Sequence, residues 1–139
     1  MENENITPEN TYLKDFNKWN EQKKEIDFKE KARYCKSREV WWCSVGLNIG
    51  FEENGKGEIF RRPVLILKRL SKNTALIAPI TKSVQEHKFR IKIGIIDNKK
   101  ASVIMSQIKT IDTKRLSLKI CMLDKNIFDA IKKAFKELL

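Results

Sequence analysis

The chain has 139 residues, 41% of them hydrophobic and 34% charged, with a formal net charge of +11; that is enough for one domain with a modest core and an appendage. No run of roughly eighteen apolar residues occurs, which excludes a helical membrane span. The acidic, polar opening Met1-Glu2-Asn3-Glu4-Asn5 reads against a signal peptide and for a cytoplasmic protein.

The charge is segregated. Residues 1–37 hold eight basic and eight acidic side chains, whereas residues 38–139 hold twenty-one basic and ten acidic ones. A neutral appendage beside a positive domain predicts a polyanionic partner for the domain, either nucleic acid or a very acidic protein. Cys35, Cys43 and Cys121 are odd in number and widely spaced, with no C-x-x-C pair, and the one histidine, His87, has no cysteine near it. Zinc, disulfide frameworks and resident cofactors are therefore not expected; Cys43 and Cys121 read as small core residues.

In chain order, Thr7-Pro8-Glu9 has the make-up of a helix start. Tyr12, Phe16, Trp19 and Ile26 then recur at helical spacing with Leu13 beside them, which predicts an amphipathic helix over 8–25 that packs on its own domain, with a second copy or another protein as the alternative surface. Residues 38–45 read as a strand. Val40, Trp42 and Ser44 share one face and Trp41, Cys43 and Val45 the other, so the strand should be covered on both sides. A polar loop, 46–60, holds four of the five glycines and ends on Arg61-Arg62, just before the apolar strand 63–68. A flexible collar that closes on two guanidinium groups is a candidate anion site, although two solvated arginines would look the same.

A third strand follows at 74–80, where Pro79 must end it, bulge it or lie at an edge, and Thr81 comes at its end. Residues 88–93 alternate Lys88, Arg90 and Lys92 against Phe89, Ile91 and Ile93, the pattern of a half-exposed strand. Asp97-Asn98-Lys99-Lys100 turns the chain. Short strands are expected at 102–105, 107–111 and 117–123, before a last helix capped by Asp124. The fold class is mainly β (α+β): a small curled sheet or barrel with a helix at each end.

Four stretches, taken in order, resemble the MazF/PemK family of toxins from bacterial toxin–antitoxin systems. Glu39-Val40-Trp41-Trp42-Cys43-Ser44-Val45 is similar to the family's opening strand. Gly50-Phe51-Glu52-Glu53 followed by Arg62-Pro63-Val64-Leu65-Ile66 is similar to its G-x-E-Q…R-P-V-L-V. Ala78-Pro79-Ile80-Thr81-Lys82-Ser83 is similar to P-I/V-T-S. The run from Ser102 through Gln107-Ile108-Lys109-Thr110-Ile111-Asp112 to Lys114-Arg115-Leu116 is similar to its Q-I-R-T-I-D-x-x-R-L. The resemblance divides the chain into an N-terminal amphipathic helical extension, 1–37, and a barrel domain, 38–139. It implies an SH3-like β-barrel of the MazF/CcdB type, a homodimer, and cleavage of single-stranded RNA without a metal. It also implies an acidic antitoxin as partner. Glu53 stands where the family has Gln, the loop from 54 to 61 is longer than in compact members, and Ile104 and Ser106 replace an Arg and an Asp found in some members.

Carried over residue by residue, the resemblance assigns catalysis to Arg62 and Thr81, and RNA contacts to Phe51, Glu52, Arg61, Lys82, Ser83 and Gln107. Lys88, Arg90 and Lys92 are candidates for a phosphate track. Phe51 and Trp41 are candidates for base stacking, although a tryptophan such as Trp41 is more often core. His87 can titrate near neutrality but lies in no family motif. Two other classes stay open: a toxin that inhibits gyrase by binding alone, as CcdB does on a related barrel, and a nucleic-acid-binding module without toxicity.

Overall fold

A computed structural model of the chain describes residues 13–29, 32–46, 48, 53–56, 60–83 and 85–139. Strand β1 (Glu39–Ser44) lies between β2 (Arg61–Arg69) and β7 (Leu116–Met122), antiparallel to both. Alternation explains its central place. Val40 joins one apolar cluster with Leu65 and Leu67, while Trp41, Cys43 and Val45 join another with Val64 and Ile66. Both faces of β1 and β2 are thus covered, as two-sided apolar strands require. Cys43 is wholly buried, and burial pushes its thiol up to about 12, which keeps it an inert packing residue.

The sheet continues through β3 (Thr74–Thr81) to β5 (Lys99–Ile104) and β4 (Arg90–Ile96), while β6 (Lys109–Asp112) also pairs with β3. Pro79 sits where β3 changes partner. Residues 74–77 pair with β6, and Ile80 and Thr81 pair with β5, so its missing N–H falls at the gap between two ladders. The β4–β5 hairpin turns on Asp97 and Asn98, both at positive φ (51° and 67°), the conformation that tight hairpin turns demand and that Asp and Asn tolerate. Lys88 belongs to the turn before β4 rather than to the strand, because the amide N–H groups of Phe89 and Arg90 bond back to His87.

Helix α2 (Lys125–Leu138) is capped by Asp124, whose Oδ1 accepts from the amides of Asn126 and Ile127 at 2.8 and 3.4 Å. It lays Phe128 and Ile131 on the first apolar cluster, each burial contributing about 1.5–3 kcal/mol. Helix α1 runs Phe16–Asp27, not 8–25. Asp15 caps it by accepting from the Lys18 amide at 2.9 Å, and residues 13–15 are not helical; Thr7, Pro8 and Tyr12 lie outside the described residues. The expected packing on its own domain is present through Trp19 and Ile26, whereas Leu13 and Phe16 are exposed. No helix among the described residues is long and apolar enough to cross a membrane.

One buried carboxylate is anchored from three sides. Glu39 accepts from Trp41 Nε1 at 3.0 Å, from the Lys36 amide at 2.8 Å and from Lys119 Nζ at 3.3 Å. Burial alone would raise its pKa, but these donors outweigh burial and hold it below the ordinary carboxylate value. A folded-state pKa below the unfolded one gives stability that is full above the unfolded value and is lost as pH falls through the folded one. Glu39→Gln should therefore lose less thermal stability than the wild type between about pH 5 and about pH 2, measured by circular dichroism melts; parallel losses would contradict this.

Candidate functional site

Two of the residues assigned from sequence come together at the neighbouring ends of β2 and β3. The register pairs Val64 with Pro79, so two residues further out Arg62 and Thr81 stand at the same level of adjacent strands. Together with Trp42, Lys56, Arg61, Lys82 and Ser83 they line a cleft of about 430 Å³.

Arg62 is 8% exposed. Its Nε donates to the Asn54 carbonyl at 2.8 Å, its Nη1 to the Ile80 carbonyl at 3.0 Å, and its Nη2 pairs with Glu53 Oε1 at 3.0 Å. Burial lowers its pKa from the ordinary arginine value, the Glu53 carboxylate works against that, and the nearby Arg90 charge adds to it. A guanidinium carries five N–H donors, so this fork leaves donors over for an anion in the cleft while its plane is fixed by the other three. Thr81 is nearly as buried, and its Oγ1 accepts from the Ser83 amide at 3.1 Å. With a lone pair engaged, the Thr81 O–H is aimed elsewhere and can donate.

Around this pair the positive charge is layered on an aromatic ring. Arg61 lies over Trp42 with 4.6 Å from its guanidinium carbon to the ring centroid, and Lys82 Nζ is 5.7 Å from the same ring. Lys82 also pairs with Asp97 at the hairpin tip, at 3.2 Å. Arg61, ambiguous in sequence, is thus a cleft residue. Trp42, which the sequence reading passed over in favour of Trp41, is half-buried at the cleft, while Trp41 is core. Alternation held the signal: with Trp41 on the Cys43 face, its neighbour must point the opposite way.

Gln107 is not in this cleft. Its Oε1 accepts from the Glu53 amide at 2.9 Å, and it lines an adjoining hollow of about 640 Å³ with Asn48, Glu53 and Pro79. Glu53 therefore links the two hollows, bound through its backbone to Gln107 and through its carboxylate to Arg62. Phe51 and Glu52 lie outside the described residues. Of the basic row, Arg90 is half-buried and near enough to influence Arg62, Lys88 is exposed, and Lys92 is exposed and paired with Glu86 at 2.8 Å. His87 is exposed, its Nδ1 accepting from the Phe89 amide. No group of three or more metal-binding side chains occurs among the described residues.

Read from sequence, Arg62→Ala removes a phosphate contact and leaves folding intact. The geometry adds a structural cost, because the change strands the Glu53 carboxylate and two carbonyls. Arg62→Ala should destabilise the protein by about 3 kcal/mol, and the double variant Arg62→Ala/Glu53→Gln by less, measured by chemical denaturation. Equal stabilities for wild type and Arg62→Ala would show that the fork contributes nothing.

Residues 36–139 match the model of the PemK-like, MazF-like toxin of type II toxin-antitoxin system. The chain is 30% identical over 111 residues to endoribonuclease EndoA of Bacillus subtilis (strain 168), covering 73% of this chain and 90% of EndoA. Among solved structures it is similar to MazF from Deinococcus radiodurans, with a TM-score of 0.64 at 14% identity, covering 76% of this chain and 96% of that one. It is also similar to an endoribonuclease from a mycobacterial species in complex with its cognate antitoxin, with a TM-score of 0.56 at 14% identity, covering 75% and 93%. These two structural likenesses carry the fold, a curled antiparallel sheet with a C-terminal helix, and the family match covers the strands that build the cleft. The chain belongs to the PemK-like, MazF-like toxin family of type II toxin–antitoxin systems.

Proposed function

We propose that this protein is a toxin that cleaves single-stranded RNA endonucleolytically, without a metal, leaving a 2′,3′-cyclic phosphate and a 5′-hydroxyl. The observation that carries the reading is the convergence of the Arg62 fork and the Thr81 hydroxyl in one cationic cleft. In this reaction the ribose 2′-oxygen gives its proton to solvent water and attacks the adjacent phosphorus in line. The P–O2′ bond forms, the P–O5′ bond breaks, and the departing 5′-oxygen takes up a proton. Negative charge on the non-bridging oxygens grows during the attack and is best stabilised by donors fixed in advance. Arg62, held by three partners, offers its two remaining N–H groups, and Thr81 offers a third donor, its hydroxyl, from the neighbouring strand.

Trp42 with Arg61 over it supplies a platform of the kind on which a base stacks. Lys82 and Arg90 extend the cationic surface along the strand ends with Ser83 beside them, while Gln107, after β5, and Phe51 and Glu52, between β1 and β2, belong to the RNA-contacting set carried over from the family. Arg62, the buried cation of the cleft with N–H groups to spare, is also assigned the proton-transfer role at the departing 5′-oxygen. An acidic antitoxin that covers the basic cleft is the expected protein partner; the similar mycobacterial endoribonuclease was solved in complex with its cognate antitoxin. A homodimer acting in the cytoplasm completes the proposal, with residues 1–37 as an extension to the barrel domain 38–139.

The decisive experiment incubates the purified full chain with a single-stranded RNA in EDTA and maps the product ends. Cyclic phosphate and 5′-hydroxyl ends are expected; absence of cleavage, or cleavage only when metal is restored, would refute the proposal. Arg62→Lys keeps a charge but cannot reproduce the fork. Both it and Thr81→Val should lower the cleavage rate by about a hundred-fold or more, the scale of losing one preorganised donor. Full activity in both would move the site elsewhere.

A further inference from the structure

Helix α1 lies outside the residues that match the family, yet it is fastened to the approach to Arg62. Trp19 is 5% exposed on an otherwise polar helix, and its apolar partners are Ile26 and Phe60, a cluster separate from the two cores of the sheet. The Trp19 and Phe60 rings meet edge to face, with centroids 5.7 Å apart. The other contact is with backbone. A Cβ on Gly46 would lie 2.0 Å from Cε2 and Cζ2 of Trp19, so the indole rests directly on the chain at Gly46, which also holds φ at +81°. Only glycine meets both demands there.

Gly46 and Phe60 are the two sides of the neck of the β1–β2 loop. The Gly46 amide donates to the Phe60 carbonyl at 2.9 Å and the Gly55 amide to the Gly46 carbonyl at 2.6 Å, while Lys56 and Arg61 exchange both backbone bonds at 2.9 and 3.1 Å. Gly55 is pressed so close to the Phe60 carbonyl that a Cβ would lie 1.6 Å from it. Phe60 holds a positive φ of 51°, unusual for a bulky residue and needing support from its surroundings. It stands immediately before Arg61 and Arg62. Residue 54, next to Gly55, supplies the carbonyl that receives Arg62 Nε. On its other side the helix is tied down as well: Arg115 lies over Trp19 and donates to the Ser44 carbonyl at 3.1 Å, and Lys14 Nζ donates to the Asn48 carbonyl at 2.5 Å.

We infer that Trp19 is a positioning residue for Arg62: the helix that precedes the family domain clamps the loop neck, holds Phe60 in its left-handed conformation, and so fixes the Asn54 and Glu53 acceptors that orient the guanidinium. The inference rests on the ribonuclease reading for its effect on rate, but its structural half stands apart from it. Fixing a catalytic group within a fraction of an ångström is worth large factors in rate, and a misplacement of about 1 Å costs on the order of a hundred-fold.

The test uses the full chain with Trp19→Ala and Trp19→Phe. Amide hydrogen exchange and the NMR signal of the Arg62 Nε–H report the neck, and single-turnover cleavage of a single-stranded RNA reports the site. In Trp19→Ala the amides of Gly46, Gly55, Lys56 and Arg61 and the Arg62 Nε–H should exchange about ten-fold faster or more, with the amides of β3 unchanged. The cleavage rate at saturating RNA should fall by about ten- to a hundred-fold with little change in KM, and Trp19→Phe should recover most of both. Gly46→Ala should mimic Trp19→Ala, and the two changes together should do little more than either alone. An unaltered neck, a loosened neck with full cleavage rate, or a uniform loss of protection across β2 and β3 would each overturn the inference. A wild type that cleaves no RNA would instead overturn the ribonuclease reading, and the exchange pattern would still decide whether Trp19 holds Arg62.

Discussion

The arrangement of this molecule turns on one buried guanidinium. Arg62 ties two other pieces of chain to its own strand: the loop, through the Asn54 carbonyl and an ion pair with Glu53, and the end of β3, through the Ile80 carbonyl. A buried cation without such partners would cost several kcal/mol, so the charge and the loop conformation depend on each other. The same economy serves chemistry. The donors spent on the protein hold the plane of the group, and the donors left over are the ones a phosphate would meet.

That dependence explains why Glu in place of the family's Gln at position 53 is compatible with the fold. A carboxylate opposite a half-desolvated guanidinium makes a stronger bond than an amide would, and its backbone is held independently by Gln107. The same substitution places a negative charge beside Arg62, so part of the positive charge at the cleft is offset within the protein itself.

Much of the sheet was legible in the sequence because its signals are local. Period-two alternation in β1 and β4, the Asp97-Asn98 turn, the Asp124 cap and the break at Pro79 each state their structure within a few residues. The start of α1 was not legible in this way. Asp15, which caps the helix by accepting from the Lys18 amide, sits inside the run 8–25 that the aromatic spacing marked as helical, and one acidic residue among many polar ones gives no sign of being a cap. The candidate site was legible as a proposed pair, Arg62 and Thr81, singled out by the family motifs, and the structure brings the two to one cleft. Its geometry was not, because two of the three acceptors on Arg62 are backbone carbonyls, which no side-chain pattern announces. Trp42 was obscured for another reason: beside Trp41 it shares residue type and strand, and the pleat alone separates the core ring from the cleft ring.

The change of partner along β3 has a mechanical meaning for the site. Up to Ile77 this strand is laced to β6, and from Ile80 onward to β5, with Pro79 between the two ladders. The β2–β3 ladder nonetheless runs on past this point, pairing Val64 with Pro79 and Leu65 with Ala78, and the bond from Arg62 Nη1 to the Ile80 carbonyl crosses between the same two strands. The switch therefore seats Thr81 at a three-way junction of β2, β3 and β5, where the guanidinium and the hydroxyl are braced against one continuous piece of sheet and Lys82 reaches on to the hairpin tip at Asp97.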